Sequence, residues 1–523
     1  MMPQDILFDK ITDLEIRLST AMSETAFERE KKELYAEENN RLHELLLDFK
    51  RHRFGVRSER HVSAEQLLFD EAEALASQAK ADDSAAALET EVEVPAHKRN
   101  RGHRKPLPID LPREIVVIEL PESERIGADG QVLNPIGKAV SEKLHFEPAL
   151  LKVIETHRIR YGADSGDTGI IAPVPPSILP KSMATPGLLA NIVLQKYGYG
   201  VPLYRQEEMY MRMGCDIPRC TQARWVIQAA EACLAIKNVL TDRLMACSYV
   251  SCDETPVQVL DEKGRKAETK SYMWVRTTPS ELKKIVLFDY DPHRSGAVAK
   301  RLFEDYRGTL QADGFASYND VGKQDGVKRI GCNMHGRRKF EVAFKNGAKV
   351  GVKHSGSFSE VALKFYRKLY DIETRCRGLQ FDERHQIRST ESVPIWAEFK
   401  NWADVNSKKV PPKSKIGQAF HYFLGEYRYL IGYLQDGRLE MDNGFAERAI
   451  AKFAIGRKNW LFSIGEAGAE ASSFFYSLVV TAKINGGDPY EILKKVFEMI
   501  PLSKTAEDID KIVDLILAGP TAH

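Results

Sequence analysis

The feature that most narrows the fold is a change of hydrophobic period after Met245. Five short strand-like runs follow, Tyr249–Cys252, Tyr272–Val275, Ile285–Phe288, Thr309–Ala312 and Arg329–Cys332. Between the third and the fourth, Ala297 to Tyr306 keeps a helical spacing. Three strands close together, then a helix, then a fourth strand predict an α/β sheet of mixed direction. The sheet is a minor part of the chain. Residues from about 355 to 435 and from Ala467 onward are again helical in pattern, and 523 residues at roughly 150 per domain predict several units rather than one.

Ahead of the sheet the pattern changes several times. Residues 1–60 predict a leucine-rich helix, with Leu7, Ile11, Leu14, Leu18 and Ala21 at steps of four and three. It is either a coiled-coil strand or a helix lying on its own protein, and it stops near Phe54-Gly55. Residues 61–106 form a charged linker in which Lys98, Arg99, Arg101, Arg104 and Lys105 crowd around Gly102. Such a run tracks phosphates as a flexible arm or is simply solvated. Residues 107–185 alternate in short stretches (Glu114–Glu119, Leu151–Glu155) and predict a small β-rich module. Residues 186–245 are helical. Within them Tyr204 to Met213, Gly214 and a helix from near Pro218 have the outline of a helix-turn-helix or of an ordinary helical hairpin.

Composition excludes several classes. With 43% hydrophobic and 28% charged residues the chain is neither collagen-like nor wholly disordered. Its seven cysteines include no CxxC pair, so neither a disulfide framework nor a cysteine zinc site is expected. No apolar run reaches the roughly 18 residues of a membrane span, and Met1-Met2-Pro3-Gln4-Asp5 does not begin a signal peptide, so a cytoplasmic location is expected. A net charge of +1 gives no global sign of a nucleic-acid partner, which leaves local blocks to be read.

Three acids stand out. Asp253 is expected to end the first strand and Asp313 the fourth, placing both carboxylates at the rim of one sheet, where side chains project into a crevice. Glu447 lies four residues after Asn443, a plausible helix cap, on a helix able to reach the sheet edge. Singly, each aspartate is most simply a turn residue. Together the three make an oxygen-only site suited to magnesium or manganese, and two such ions serve in-line phosphoryl transfer. Two basic stretches accompany them, His335-Gly336-Arg337-Arg338-Lys339 and, after Arg448, Arg457-Lys458-Asn459-Trp460. The cations either pair phosphates or decorate a solvated helix start; Trp460 either stacks on bases or packs in the core.

These residues resemble the DDE transposases of the insertion-sequence 66 family. The resemblance runs from about Phe54 to Tyr490 in order: Phe54–Glu59, Val201-Pro202-Leu203-Tyr204-Arg205-Gln206, Asp253-Glu254-Thr255, Asp313-Gly314, His335–Phe340, Asp442-Asn443 with Glu447-Arg448, Gly456–Phe462, and Tyr476-Ser477-Leu478 through Asn485–Tyr490. It implies a ribonuclease-H-like core in two parts, 246–345 and 436–485, with a helical insertion over 346–435 and C-terminal helices over 486–523. It also implies a catalytic, metal-binding triad of Asp253, Asp313 and Glu447, with Asp442 the nearest rival for the third place, holding two Mg²⁺ ions for which Mn²⁺ can substitute. DNA-binding residues on this resemblance are His335, Arg337, Arg338, Lys339, Arg448, Arg457, Lys458 and Trp460. Implied partners are double-stranded DNA (element ends and target), further copies of the chain in a homo-oligomer, and accessory proteins of the same element, with no membrane. Two departures mark this chain. The family's small zinc module has two cysteine pairs, and here the corresponding segments 126–130 and 161–167 contain none. Asn333-Met334 stands before His335 where the family tends to place an aromatic residue. Two other readings stay open, a nuclease of the same fold without strand transfer and a non-catalytic DNA-binding regulator derived from a transposase.

Overall fold

The structure, a computed structural model, describes residues 107–518 apart from 108, 110, 127–131, 148–149, 163–168, 281 and 349–355. The expected leucine-rich helix, the charged linker and most of the two cysteine-free segments lie outside the described residues. The chain divides into two compact units: 330–442 is the described part of one, and the residues before and after it belong to the other.

The larger unit begins with a four-stranded sheet of β1 (Arg113–Ile118), β2 (Asn134–Glu147), β3 (Leu150–Gly162) and β4 (Ile170–Ile171), in the order β1-β3-β2 with β4 on β3. β2 and β3 are a long antiparallel pair registered from Glu147 opposite Leu150 to Asn134 opposite Gly162. Leu144, Leu151 and Val153 enter the main core from this sheet. Next comes α1 (Pro186–Val193), started by Thr185, whose hydroxyl accepts from the Leu188 N–H, with Pro186 at the first helical position. Every later residue of α1 is buried, as expected of a helix apolar on all sides. α2 (Leu203–Arg212) stops at Gly214, whose φ of +83° is the left-handed conformation that glycine adopts without strain. α3 (Arg219–Ala232) and α4 (Leu234–Met245) follow.

The central sheet contains β5 (Tyr249–Asp261), β6 (Lys270–Thr277) and β7 (Val286–Asp291), then α5 (Gly296–Leu302), β8 (Gly308–Ala312), α6 (Ser317–Val321) and β9 (Val327–Gly331). The order is β7-β6-β5-β8-β9. β5 pairs antiparallel with β6 and parallel with β8. This is the mixed α/β sheet that the period change predicts.

The smaller unit is helical: α7 (Asn333–Ala348), α8 (Phe358–Arg375), α9 (Phe381–Ile387), α10 (Val393–Asn406) and α11 (Lys415–Leu430). Its core is aromatic. The rings of Phe365 and Phe399 stack at 4.7 Å and those of Phe399 and Phe423 lie at 4.2 Å, with Phe340, Tyr366 and Trp396 around them. Buried Arg388 donates to both oxygens of Glu373 at 2.9 and 2.6 Å and to the Leu439 carbonyl at 2.9 Å, satisfying a charge that would otherwise be costly to bury. Asn333, part of the second departure from the family pattern, is a structural tie here: its amide donates to the carbonyls of Leu430 and Met441, each at 2.9 Å.

The chain returns to the larger unit with α12 (Gly444–Trp460), β10 (Ser463–Gly465, parallel to β5), α13 (Glu466–Ile484), α14 (Pro489–Met499) and α15 (Ala506–Leu517). α13 covers the open edge of β7 in an unusual way. Ser477 accepts from the Phe288 N–H at 2.8 Å, Thr481 accepts from the Val286 N–H at 3.0 Å, and Asn485 accepts from the Lys284 N–H at 2.9 Å. Thr481 and Asn485 also donate to the carbonyls of Val286 and Lys284. Steps of four along a helix rise about 6 Å and steps of two along a strand about 6.6 Å, so side chains on one helix face match alternate strand residues. A helix thus fills the place of a neighbouring strand and seals an edge that would otherwise invite pairing with another chain.

Candidate active site

Asp253 lies within β5, not at its end, because the strand continues eight residues further to Asp261. The Glu254-Thr255-Pro256 stretch looks like a turn in sequence. It remains extended because β6 pairs it on one side, while no partner is registered on the other between Ser251 and Val259. A strand open on one flank tolerates a proline. Asp313 directly follows β8, as the sequence predicts. The parallel register ends with Ser251 opposite Gln311, and Asp253 and Asp313 each lie two residues beyond that pair.

Glu447 is in the first turn of α12, which packs on β5 and β6. Asn443 precedes this helix, but its side chain makes no cap bond. It is buried and donates to the Cys252 carbonyl at 2.7 Å, fastening the start of α12 to the residue before Asp253. The sequence therefore marks Asn443 correctly for the wrong reason.

The electrostatics agree with this geometry. Burial, and then the charges of Glu254, Asp313 and Glu447, push the Asp253 carboxyl up to about 8. Asp253 is half-buried and accepts the Glu254 N–H at 2.9 Å, which offsets part of that rise. Asp313 is fixed by the Phe315 N–H at 2.9 Å, and its carbonyl accepts from buried Arg329 at 2.7 Å. Glu254 points away from the solvent, bonded to the Tyr318 hydroxyl at 2.6 Å and to Arg294. Arg294, Arg329 and Tyr318 carry no motif signal in the sequence, and only folding reveals them.

The other expected site residues are divided between the units. His335, Arg337, Arg338 and Lys339 are in the first two turns of α7, where Arg338 and Lys339 are exposed and Arg337 lies 4.0 Å from Glu341. Gly336 belongs there because a Cβ would lie 2.4 Å from the Tyr366 hydroxyl. Asp442 is also in the smaller unit, beside Tyr370, whose phenol is pushed up by burial and then by the Asp442 charge. Arg448 and Lys458 are exposed on α12, while Arg457 is half-buried. The Trp460 ring is taken up by the core: it is 7% exposed, edge-on to Phe453 at 5.5 Å, with its N–H on the Tyr476 hydroxyl at 3.4 Å. Packing, not base stacking, accounts for that tryptophan.

Residues 181–471 match the Transposase IS66 family, residues 477–512 match the IS66 C-terminal element, and residues 41–116 match the element described as Transposase C of IS166 homeodomain. The chain belongs to the IS66 transposase family. It is 30% identical over 412 residues to the uncharacterized protein y4jD of Sinorhizobium fredii, covering 76% of this chain and 79% of y4jD. It is 29% identical over 518 residues to y4qI of the same organism, covering 95% and 93%. A third S. fredii protein, y4hP, is 28% identical over 462 residues, covering 85% and 83%. In this IS66-family chain, no helix among the described residues is long and apolar enough to cross a membrane.

Proposed function

We propose that the chain is a DDE transposase that binds the inverted ends of an insertion sequence, cleaves DNA strands there and transfers them to target DNA, with Asp253, Asp313 and Glu447 as the catalytic, metal-binding acids of a ribonuclease-H-like core. The observation that carries this reading is that Asp253 and Asp313 each lie two residues beyond the paired Ser251 and Gln311 of the parallel strands β5 and β8, with the helix bearing Glu447 pinned at Cys252. Three carboxylates without a thiolate are donors for Mg²⁺ or Mn²⁺, and the crowding that raises Asp253 is what a bound cation relieves. Bound divalent ions supply activation of the attacking oxygen and stabilisation of the leaving one.

The protein's own residues arrange the rest. Arg329 and the Phe315 N–H fix Asp313, and Asn443 fixes the α12 start. Exposed Arg448 and Lys458 on α12, and Arg338 and Lys339 on α7, pair with DNA phosphates. Residues 330–442 carry 20 Lys and Arg against 13 Asp and Glu, in a chain whose total is only +1. The positive charge hidden by the overall balance is thus concentrated in the helical unit, which supports a role in holding the DNA backbone. Each chemical step is a direct displacement at phosphorus and needs no covalent protein-DNA intermediate. The working form is a homo-oligomer in the cytoplasm, aided by proteins of the same element.

Asp253→Asn tests the assignment. End-DNA binding in a gel-shift assay should persist while Mg²⁺-dependent nicking of the same DNA disappears; retained nicking overturns the role of Asp253. Joining of pre-cut ends to a target plasmid separates a transposase from a nuclease of the same fold.

A further inference from the structure

Arg294 lies between β7 and α5, and nothing in the catalytic scheme above uses it. Its Nε donates to Glu254 Oε1 at 2.6 Å, one Nη also contacts that oxygen, and the same Nη is 3.7 Å from Asp313 Oδ2. The guanidinium lies 3.9 Å over the ring of Phe315, which fixes the plane of the fork. Glu254 is almost completely enclosed, its side chain 2% exposed, and its second oxygen is taken by the Tyr318 hydroxyl at 2.6 Å. Although Glu254 adjoins Asp253 in sequence, its carboxylate is committed to Arg294 and Tyr318. Asp313 accepts the Phe315 N–H through Oδ1 and turns Oδ2 toward Arg294.

We propose that Arg294 is the resident counter-cation of the acidic cluster and Glu254 its anchor. Before a divalent ion arrives, Arg294 shares its charge between Glu254 and Asp313. Glu254 keeps the guanidinium from closing fully onto Asp313, so the pair sets how tightly the cation is held. Both are positioning residues acting through Asp313, and the inference rests on Asp313 being a metal ligand. A cation a few ångströms from a ligand oxygen opposes the binding of a second one, while a free guanidinium would compete with it directly.

The two members of the pair should therefore act with opposite signs, which a purely structural role would not produce. The test is Mn²⁺ titration of the full-length protein without DNA, followed by electron paramagnetic resonance of free Mn²⁺, with circular dichroism to confirm the fold. Arg294→Gln should tighten Mn²⁺ binding about tenfold. Glu254→Gln should weaken it several-fold by releasing the guanidinium onto Asp313. The double variant should behave like Arg294→Gln, and Arg294→Lys should stay close to the wild type. Weaker or unchanged binding in a folded Arg294→Gln protein, or a double variant as weak as Glu254→Gln, overturns the proposal. If Arg294→Gln does not fold, Glu254→Gln decides alone, and unchanged or tighter binding there overturns the proposal. Absence of Mn²⁺ binding by the wild type, or wild-type binding by Asp313→Asn, instead overturns the site assignment and this inference with it.

Discussion

Two aspartates in the central sheet meet burial in opposite ways. Asp289 on β7 is 8% exposed and lies between Arg276, whose Nε and Nη2 reach it at 3.0 and 2.9 Å, and Lys237 at 3.2 Å. Burial alone would raise its carboxyl, but Arg276 and Lys237 outweigh burial and hold it down to about 2. On β5, burial and then the charges of Glu254, Asp313 and Glu447 push the Asp253 carboxyl up to about 8. Within one sheet, one carboxylate is locked by fixed cations and the other is surrounded by like charge. The first is a structural ion group that completes itself. The second sits among acids, with Arg294 bonded to Glu254 and 3.7 Å from Asp313.

The largest effect should come from breaking the locked side. Arg276→Ala leaves the Asp289 carboxylate buried with only Lys237, and should cost about 3–5 kcal/mol in urea unfolding; a loss below about 1 kcal/mol would mean that Arg276 is not what makes Asp289 tolerable. A smaller effect is expected at the neutral counterpart of that lock, where α13 satisfies the β7 edge. Thr481→Val removes a donor and an acceptor from Val286 and should cost about 1–3 kcal/mol by the same measurement. The smallest effect sharpens the contrast through pH. The folded Asp253 carboxyl titrates above its unfolded value near 4, so its penalty is absent in acid, grows as pH rises and is complete above about 8. Asp289 has the opposite sign: its contribution is full above about 4 and is lost as pH falls toward 2. With chelator present, stability should fall by roughly 1 kcal/mol per pH unit between about pH 5 and 7, and Asp253→Asn should flatten that slope. An unchanged slope in the variant would mean that Asp253 is not the group under strain.

Much of the sheet was legible because alternation and β-branched residues mark strands whatever lies around them. Tyr249–Cys252, Tyr272–Val275 and Thr309–Ala312 all fall inside observed strands. The misreadings have local causes. Pro256 hid the second half of β5 because a proline signals a break unless the strand is known to be open on one flank. The helix read from Ala297 to Tyr306 ends at Leu302, because Asp305 and Gly308 take positive φ on the way into β8. Asp253, Asp313 and Glu447 were legible as residue types in motifs. Their supports were not: Arg294, Arg329, Tyr318 and the Asn443 bond to Cys252 depend on register and on meetings of distant segments. Arg276 and Asp289 did leave a trace, opposite charges inside the apolar runs Trp274-Val275-Arg276 and Phe288-Asp289-Tyr290, and β6 and β7 bring those runs alongside each other.

The excursion from Ile330 to Asp442 separates α12 from the strands on which it packs. On the ribosome, Asp253 and Asp313 emerge long before Glu447, with more than a hundred residues of helical protein still to be translated between them. A nascent or truncated chain accordingly has two of the three acids and neither the Asn443 fastening nor the α13 seal on β7. Glu447 therefore joins Asp253 and Asp313 only after the whole of residues 330–442 has been translated.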